Sequence, residues 1–137
     1  MNYSATLGRG RVVVDFKNAT VTALEYKGHN ILATPAPLFT IGLRSRDGAL
    51  MLIQATDACQ CIASNAAAAY SCFPTVNLCV TVRLWNDDRS LLWQVEVENR
   101  SDMLIEWVDF PTVDLKPLKK NGGIGEILFP YNECRFG

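Results

Sequence analysis

Hydrophobic and polar positions alternate along much of this chain with the period of two that is typical of β-strands. The clearest runs are 75–85 (TVNLCVTVRLW) and 91–98 (LLWQVEVE), which are joined by a compact polar loop. In the first run, the apolar side chains on one side are Val76, Leu78, Val80, Val82 and Leu84. We predict two long antiparallel strands, each with one packed face, as the central hairpin of the fold.

Two further hairpins are predicted earlier in the chain. Residues 11–16 (RVVVDF) and 21–26 (VTALEY) are strand-like runs separated by a short turn. Residues 38–44 (LFTIGLR) and 49–54 (ALMLIQ) enclose Asp47-Gly48, a pair that favours tight turns between antiparallel strands. Each pair of runs is therefore expected to fold back on itself.

The remaining segments complete an all-β pattern. We interpret residues 55–69 as two edge strands around a turn at Ser64-Asn65, with a short helix as the alternative. Residues 116–125 (KPLKKNGGIG) suit an exposed loop. The pattern predicts an antiparallel two-sheet β-sandwich of roughly ten strands, with one domain over residues 1–137.

Charge and hydropathy limit the classes of partner that this chain is expected to bind. Thirteen Lys and Arg against fourteen Asp and Glu give a net charge of -1, with the two signs scattered. This balance removes the electrostatic reason to expect nucleic acid or an anionic membrane as a partner. The apolar runs are far shorter than the roughly 20 residues that cross a bilayer, and MNYSATLGRG lacks the apolar centre of a signal peptide. We expect a soluble protein, either cytoplasmic or exported with a signal peptide that this chain lacks.

The cysteines do not predict a disulfide framework or a metal site. They are odd in number and lie at positions 59, 61, 72, 79 and 134. Cys59 and Cys61 would share one face of a strand, which does not favour a bridge between them. The chain has no CxxC motif and a single histidine, so structural zinc is poorly supported. We expect buried, reduced thiols, with no metal and no cofactor.

Two runs with a Phe-Pro pair carry the carboxylates of interest: Ile105–Leu115 (IEWVDFPTVDL) and Glu126–Glu133 (EILFPYNE). The carboxylates in these runs are Glu106, Asp109, Asp114, Glu126 and Glu133. Cleavage of a glycosidic bond uses two carboxyl groups, one to protonate the leaving oxygen and one to attack or to activate water. Acidic residues on antiparallel strands are more often solvent-facing, and Glu106 has the parity opposite to Ile105 and Trp107. We assign no catalytic residue.

Other catalytic signatures are missing from the sequence. It contains no nucleotide-binding glycine fingerprint that opens a helix, and no GxSxG nucleophile motif. His29, the single histidine, is flanked by Gly28 and Asn30, which favours a surface turn over a catalytic relay.

The aromatic residues suggest a binding site for carbohydrate. Aromatic rings stack on the apolar face of a sugar, while Asp, Asn and Glu side chains accept its hydroxyls. Trp93 shares parity with Val95 and Val97, which predicts a core position, whereas Trp107 shares parity with Ile105 and Asp109. The carbohydrate-binding candidates are Trp107, Asp109, Tyr131, Asn132 and Glu133.

The order of these motifs resembles a known domain. The strand end VENRSD at 97–102, the IEWVDFP strand at 105–111 and the PYNE exit at 130–133 are similar to the N-terminal β-sandwich of large bacterial glycoside hydrolases. In that group, a galactose mutarotase-like or supersandwich domain precedes a catalytic (β/α)8 barrel. The similarity spans roughly residues 10–135, and its motifs are structural, so no catalytic residue is transferred.

The resemblance implies a non-catalytic accessory domain, the N-terminal fragment of a larger protein. Its partners would be the catalytic domain of the same polypeptide and carbohydrate at the rim of the cleft. Two alternatives remain open at this point: a stand-alone mutarotase-like sugar epimerase, and a structural or protein-interaction β-sandwich.

Overall fold

The computed structural model describes residues 2–87 and 89–116, together with the backbone of 119–120 and 123–124. These residues form antiparallel strands, with one 3-10 turn at Ala55–Asp57 and no α-helix in the part that is described. The strands are β1 (Asn2–Leu7), β2 (Gly10–Asp15), β3 (Thr20–Tyr26), β4 (His29–Asn30), β5 (Leu32–Thr34), β6 (Ala36–Pro37), β7 (Thr40–Arg44), β8 (Leu50–Gln54), β9 (Gln60–Ala63), β10 (Ala67–Ser71), β11 (Leu78–Asn86), β12 (Leu91–Asn99), β13 (Leu104–Asp109), β14 (Asp114–Leu115), β15 (Lys119–Lys120) and β16 (Gly123–Ile124). The predicted all-β class is confirmed.

Three larger sheets and two short pairs make up the described part. The first sheet has the order β1-β2-β3-β4, with β6 paired to β3. The second, the four-stranded sheet, has the order β12-β11-β10-β9, and the third, the three-stranded sheet, has the order β13-β7-β8. The pairs are β5 with β14 and β15 with β16. The predicted hairpins β2-β3, β7-β8 and β11-β12 are confirmed.

The inward faces of the three larger sheets share one hydrophobic core. β11 follows the predicted alternation, with Leu78, Val80, Val82 and Leu84 buried at 2% exposure or less. The first and third sheets contribute side chains such as Val14 and Ile41 to the same cluster. Full burial of one such aliphatic side chain contributes roughly 1.5–3 kcal/mol. The period of two in the sequence therefore reflects burial on one side of each sheet.

A buried tyrosine connects the second sheet to the first. The Tyr70 hydroxyl donates a 2.6 Å hydrogen bond to the backbone oxygen of Phe16, at the end of the β2 hairpin. Burial raises the pKa of Tyr70, so the hydroxyl remains a donor. The Phe39 ring packs edge-on against Tyr70 with 5.7 Å between centroids.

Three local predictions need correction. Residues 55–69 contain strands as expected, but β10 is an interior strand between β9 and β11 because its Ala68 and Tyr70 side chains enter the core. Cys59 and Cys72 are exposed, not buried, since they lie just beyond the paired ends of β9 and β10. Within the predicted loop 116–125, β15 pairs antiparallel with β16.

No helix in the described residues is long and apolar enough to span a membrane.

Candidate binding surface on the three-stranded sheet

A β-bulge determines which side of the three-stranded sheet each side chain of β13 occupies. Ile105 pairs with Leu43 and Trp107 with Gly42, so Glu106 is an additional residue without a direct partner on β7. Leu43 is fully buried and faces the core, and Ile105 packs beside it. Gly42 has the opposite orientation, because successive strand residues point to opposite faces. Trp107 therefore lies on the outer face.

This bulge corrects the expected parity. A regular alternation of side chains predicts that Ile105 and Trp107 lie on the same face of the sheet. The additional residue Glu106 shifts the register of β13, so the side chains from Trp107 onwards lie on the opposite face to the one predicted. The outer face of this sheet is called the Trp107 face below. It consists of Leu104, Glu106, Trp107 and Asp109 from β13, Thr40, Gly42 and Arg44 from β7, and Leu50, Leu52 and Gln54 from β8.

The indole of Trp107 covers Gly42. A Cβ built on Gly42 would lie 2.5 Å from both Cδ2 and Cζ2 of the ring, and would also collide with Cε2 between them. Cε2 is bonded to three other ring atoms, so Gly42 can approach it only from above the plane of the ring. One face of the indole thus lies against the backbone of β7, and the side chain is 37% exposed on its other side. Gly42 is required here because any side chain would displace the ring.

The neighbours of Trp107 form an apolar row and a polar row. Leu52 pairs with Gly42 from the other side and is 57% exposed, so it continues the surface of the indole across the sheet. In the next row, Asp109 pairs with Thr40, which pairs in turn with Gln54. Two residues along a strand correspond to about 7 Å, so the Asp109 carboxylate and the indole are spaced to contact one sugar-sized ligand.

An ion pair occupies the opposite end of the Trp107 face. The guanidinium of Arg44 donates to both carboxylate oxygens of Glu106, at 2.5 and 3.2 Å, and to the backbone oxygen of Gly48 at 2.8 Å. These bonds from Arg44 hold the pKa of Glu106 below its usual range. Glu106 is therefore ionised near neutral pH and is a structural partner of Arg44, not a proton donor.

The other candidate carboxylates do not join the ion pair of Arg44 and Glu106 in the described part of the chain. Asp114 accepts a 2.9 Å hydrogen bond from the Thr34 hydroxyl, across the β5-β14 pair. Asp109 is exposed at the end of β13. Glu126 and Glu133 lie outside the described residues.

Two of the five predicted carbohydrate-binding residues lie in the described part of the chain. Trp107 and Asp109 lie on one face, two positions apart. Tyr131, Asn132 and Glu133 lie outside the described residues. Sequence reasoning did not identify the contributions of β7 and β8 to this surface, namely Thr40, Gly42, Leu52 and Gln54. The glycine at position 42 could have indicated this site, because a glycine inside an apolar strand often marks a place where another group approaches the backbone closely.

The remaining aromatic residues do not join this surface in the described structure. Trp93 is half-buried against the core and packs edge-on against Phe110, with 6.0 Å between centroids, in line with its predicted core position. Trp85 is 45% exposed on the four-stranded sheet, where it pairs with Leu92. His29 is exposed in β4, directly after the turn at Lys27 and Gly28.

Among residues 2–87 and 89–116, no group of three or more His, Cys, Asp or Glu side chains has an arrangement that could hold a metal ion. Searches of protein-family models, curated proteins and solved structures found no match to the chain.

Proposed function

We propose that this chain is a non-catalytic β-sandwich accessory domain of a glycoside hydrolase, of the galactose mutarotase-like or supersandwich type. It packs on the catalytic domain of the same polypeptide and contributes carbohydrate contacts through the Trp107 face. The observation that carries the proposal is the position of Trp107, with one indole face against Gly42, the other side open, and Asp109 on the same face.

The geometry of Trp107 favours a stacked ligand. A sugar ring presents C–H groups that pack on an aromatic face, and hydroxyls that bond to polar groups around it. Because Gly42 already restricts the indole, stacking would cost little additional side-chain entropy. Asp109 and Gln54 supply acceptors and donors beside the ring.

The exposed leucines support packing on a second domain. Leu50, Leu52 and Leu104 are 50%, 57% and 66% exposed on the Trp107 face. A cluster of large apolar side chains on one sheet face marks an interaction surface more often than free solvent exposure. Carbohydrate would use the Asp109 end of the sheet and a neighbouring domain the Leu104 end, and Leu52, which lies in the row of Trp107, would border both.

Glycan binding by the chain, compared with its Trp107→Ala and Trp85→Ala variants, tests the proposal. A glycan array identifies the ligand, and titration of that ligand then gives the affinity of each variant. We expect Trp107→Ala to weaken binding about tenfold or more and Trp85→Ala to leave it unchanged, since Gly42 backs Trp107 and no glycine within the described residues 2–87 contacts Trp85. Circular dichroism and urea denaturation of both variants show that each remains folded.

The outcomes separate the competing functions. Saturable binding that depends on Trp107 supports the accessory domain. Interconversion of sugar anomers by the isolated chain would support the mutarotase-like enzyme instead. Absence of glycan binding together with a stable dimer that Leu52→Ser disrupts would support a protein-interaction domain.

A further inference from the structure

Two cysteines stand opposite each other at the open end of the β9-β10 hairpin. The pairing runs from Ala63 with Ala68 to Gln60 with Ser71, and the next step brings Cys59 opposite Cys72. The backbone confirms this step, because the amide of Cys59 donates a 3.2 Å hydrogen bond to the carbonyl oxygen of Cys72. With standard bond lengths, this contact limits the two Cα atoms to a separation of about 7 Å or less. Disulfide bridges span Cα separations of about 4.4–6.8 Å, so the backbone is within reach of a bridge.

The side chains of this pair are accessible, and the thiol of Cys72 contacts the strand that follows Cys59. Both residues are exposed free thiols. The Sγ atom of Cys72 lies 3.4 Å from Oε1 of Gln60, the residue next to Cys59 on the opposite strand. The backbone of Cys72 has a φ of 58°, in the left-handed region that few residues other than glycine adopt. The thiol of Cys72 thus points to the Gln60 side chain of β9, which Ser71 also contacts, and it has to rotate to reach Cys59.

We propose that Cys59 and Cys72 form a reversible cross-strand disulfide when the protein meets a low-molecular-weight disulfide such as oxidised glutathione. One cysteine thiolate attacks a sulfur of glutathione disulfide, which forms a mixed disulfide and releases one glutathione. The second thiolate then attacks the protein sulfur of the mixed disulfide, which closes the bridge and releases a second glutathione. The two protons of the cysteines end on the two glutathione molecules, and the protein loses two electrons.

The other described cysteines are poor competitors for this reaction. The Cys61 thiol is half-buried and donates to the backbone oxygen of Phe16 at 3.4 Å. Cys79 is half-buried in β11, where it pairs with Glu98. Cys134 lies outside the described residues, so the experiment includes it as a competing partner.

The bridge would stabilise the hairpin. It would close the loop from residue 59 to residue 72 and so restrict the unfolded chain. It would also fix the wall of the groove that Gln60, Ser71 and Cys72 form with Asn77 and Arg100.

Peptide mass mapping of the whole chain after equilibration with reduced and oxidised glutathione tests the proposal. We expect one peptide pair linked through Cys59 and Cys72, its loss in Cys59→Ser and in Cys72→Ser, and its retention in Cys61→Ser and Cys79→Ser. Oxidation should raise the urea midpoint of the wild-type chain, and dithiothreitol should restore the original midpoint.

Three results would overturn the proposal. The first is a mixed disulfide with glutathione that persists on either cysteine and does not proceed to the bridge. The second is a bridge from Cys72 to Cys134 or to Cys61, and the third is the complete absence of oxidation. A urea midpoint that is unchanged by a confirmed Cys59–Cys72 bridge would contradict the proposed stabilisation of the hairpin.

Discussion

The outer faces of the three-stranded and four-stranded sheets have contrasting surfaces, although each carries one exposed tryptophan. On the four-stranded sheet, the outward positions of β12 after Leu92 are Gln94, Glu96 and Glu98, and Glu98 pairs with Arg100 at 3.0 Å. On the Trp107 face, the exposed positions include three leucines. The outer face of the four-stranded sheet also exposes three large apolar side chains, which are Ile62, Trp85 and Leu92. The two faces therefore differ in the polar run along β12 and in the support of their tryptophans, and not in the number of exposed apolar side chains.

The two tryptophans differ in what supports them. Trp85 pairs with Leu92 near the turn end of a regular nine-residue ladder between β11 and β12. Trp107 follows a bulge and lies over Gly42. The irregular pairing of β13 thus turns a tryptophan outwards and holds its ring flat against the sheet, which the regular ladder does not do for Trp85.

The largest expected effect comes from filling the space beneath Trp107. Gly42→Val should destabilise the protein by about 2–3 kcal/mol, because the new side chain collides with the indole. Ala69→Val, on the outer face of β10, should change stability by less than about 0.5 kcal/mol. Urea denaturation of both variants measures the difference between the two sheets.

A double-mutant cycle tests whether the collision with Trp107 causes the loss of stability in Gly42→Val. In the Trp107→Ala background, Gly42→Val should lose most of its cost, since the collision is removed. An equal cost of Gly42→Val with and without Trp107 would mean that the valine disturbs β7 itself.

The next largest effect is expected on glycan affinity when each exposed tryptophan is replaced by alanine. For a glycan ligand, the loss of about tenfold in affinity expected from Trp107→Ala corresponds to about 1.4 kcal/mol. Trp85→Ala should leave the affinity within error of wild type. Equal losses from the two substitutions would show that an exposed tryptophan of either sheet suffices, and that the support from Gly42 is irrelevant to binding.

Acid titration compares the ion pairs of the two faces. Because bonds from Arg44 lower the pKa of Glu106 in the folded protein, this pair contributes stability above the unfolded pKa of about 4.3. That contribution is lost as the pH falls through the lower folded pKa. Glu106→Gln should therefore flatten the acid limb of a stability-versus-pH curve measured by urea denaturation.

Glu98→Gln is the matched control. Arg100 likewise lowers the pKa of Glu98, but this pair is separated by two residues, against 62 for Arg44 and Glu106. A local pair persists more readily in the unfolded chain, so Glu98→Gln should flatten the curve less. A larger effect from Glu98→Gln would contradict the role of Arg44 and Glu106 in joining β7 to β13.

The smallest expected effect on stability comes from the exposed leucines. Leu52→Ser should change the free energy of unfolding by less than about 0.5 kcal/mol. In a longer polypeptide that includes the proposed catalytic domain, the same substitution should increase protease cleavage between the domains. Thr81→Ser, on the outer face of the four-stranded sheet, serves as the control, and equal cleavage in both variants would remove the leucines from the interface.

The parts of the fold that sequence predicted well have local causes. Alternation in β11 and the Asp47-Gly48 turn depend on residues that are close in the chain, and both agree with the structure. The pairing of β13 with β7 joins residues about 60 positions apart, and no local pattern specifies it. The bulge at Glu106 is equally invisible, because Ile105, Glu106 and Trp107 read as an ordinary alternating strand. The candidate site was therefore predicted by residue type at Trp107 and Asp109, but its neighbours on β7 and β8 were not.

The most direct test of the Trp107 face is an NMR titration of the three indole N–H signals with a glycan selected on the array. Substitution of each tryptophan assigns its signal. We predict that the Trp107 signal shifts saturably while those of Trp85 and Trp93 remain in place. Saturable shifts at Trp85 with none at Trp107, or no shift at any indole during saturable binding, would contradict the proposed binding surface.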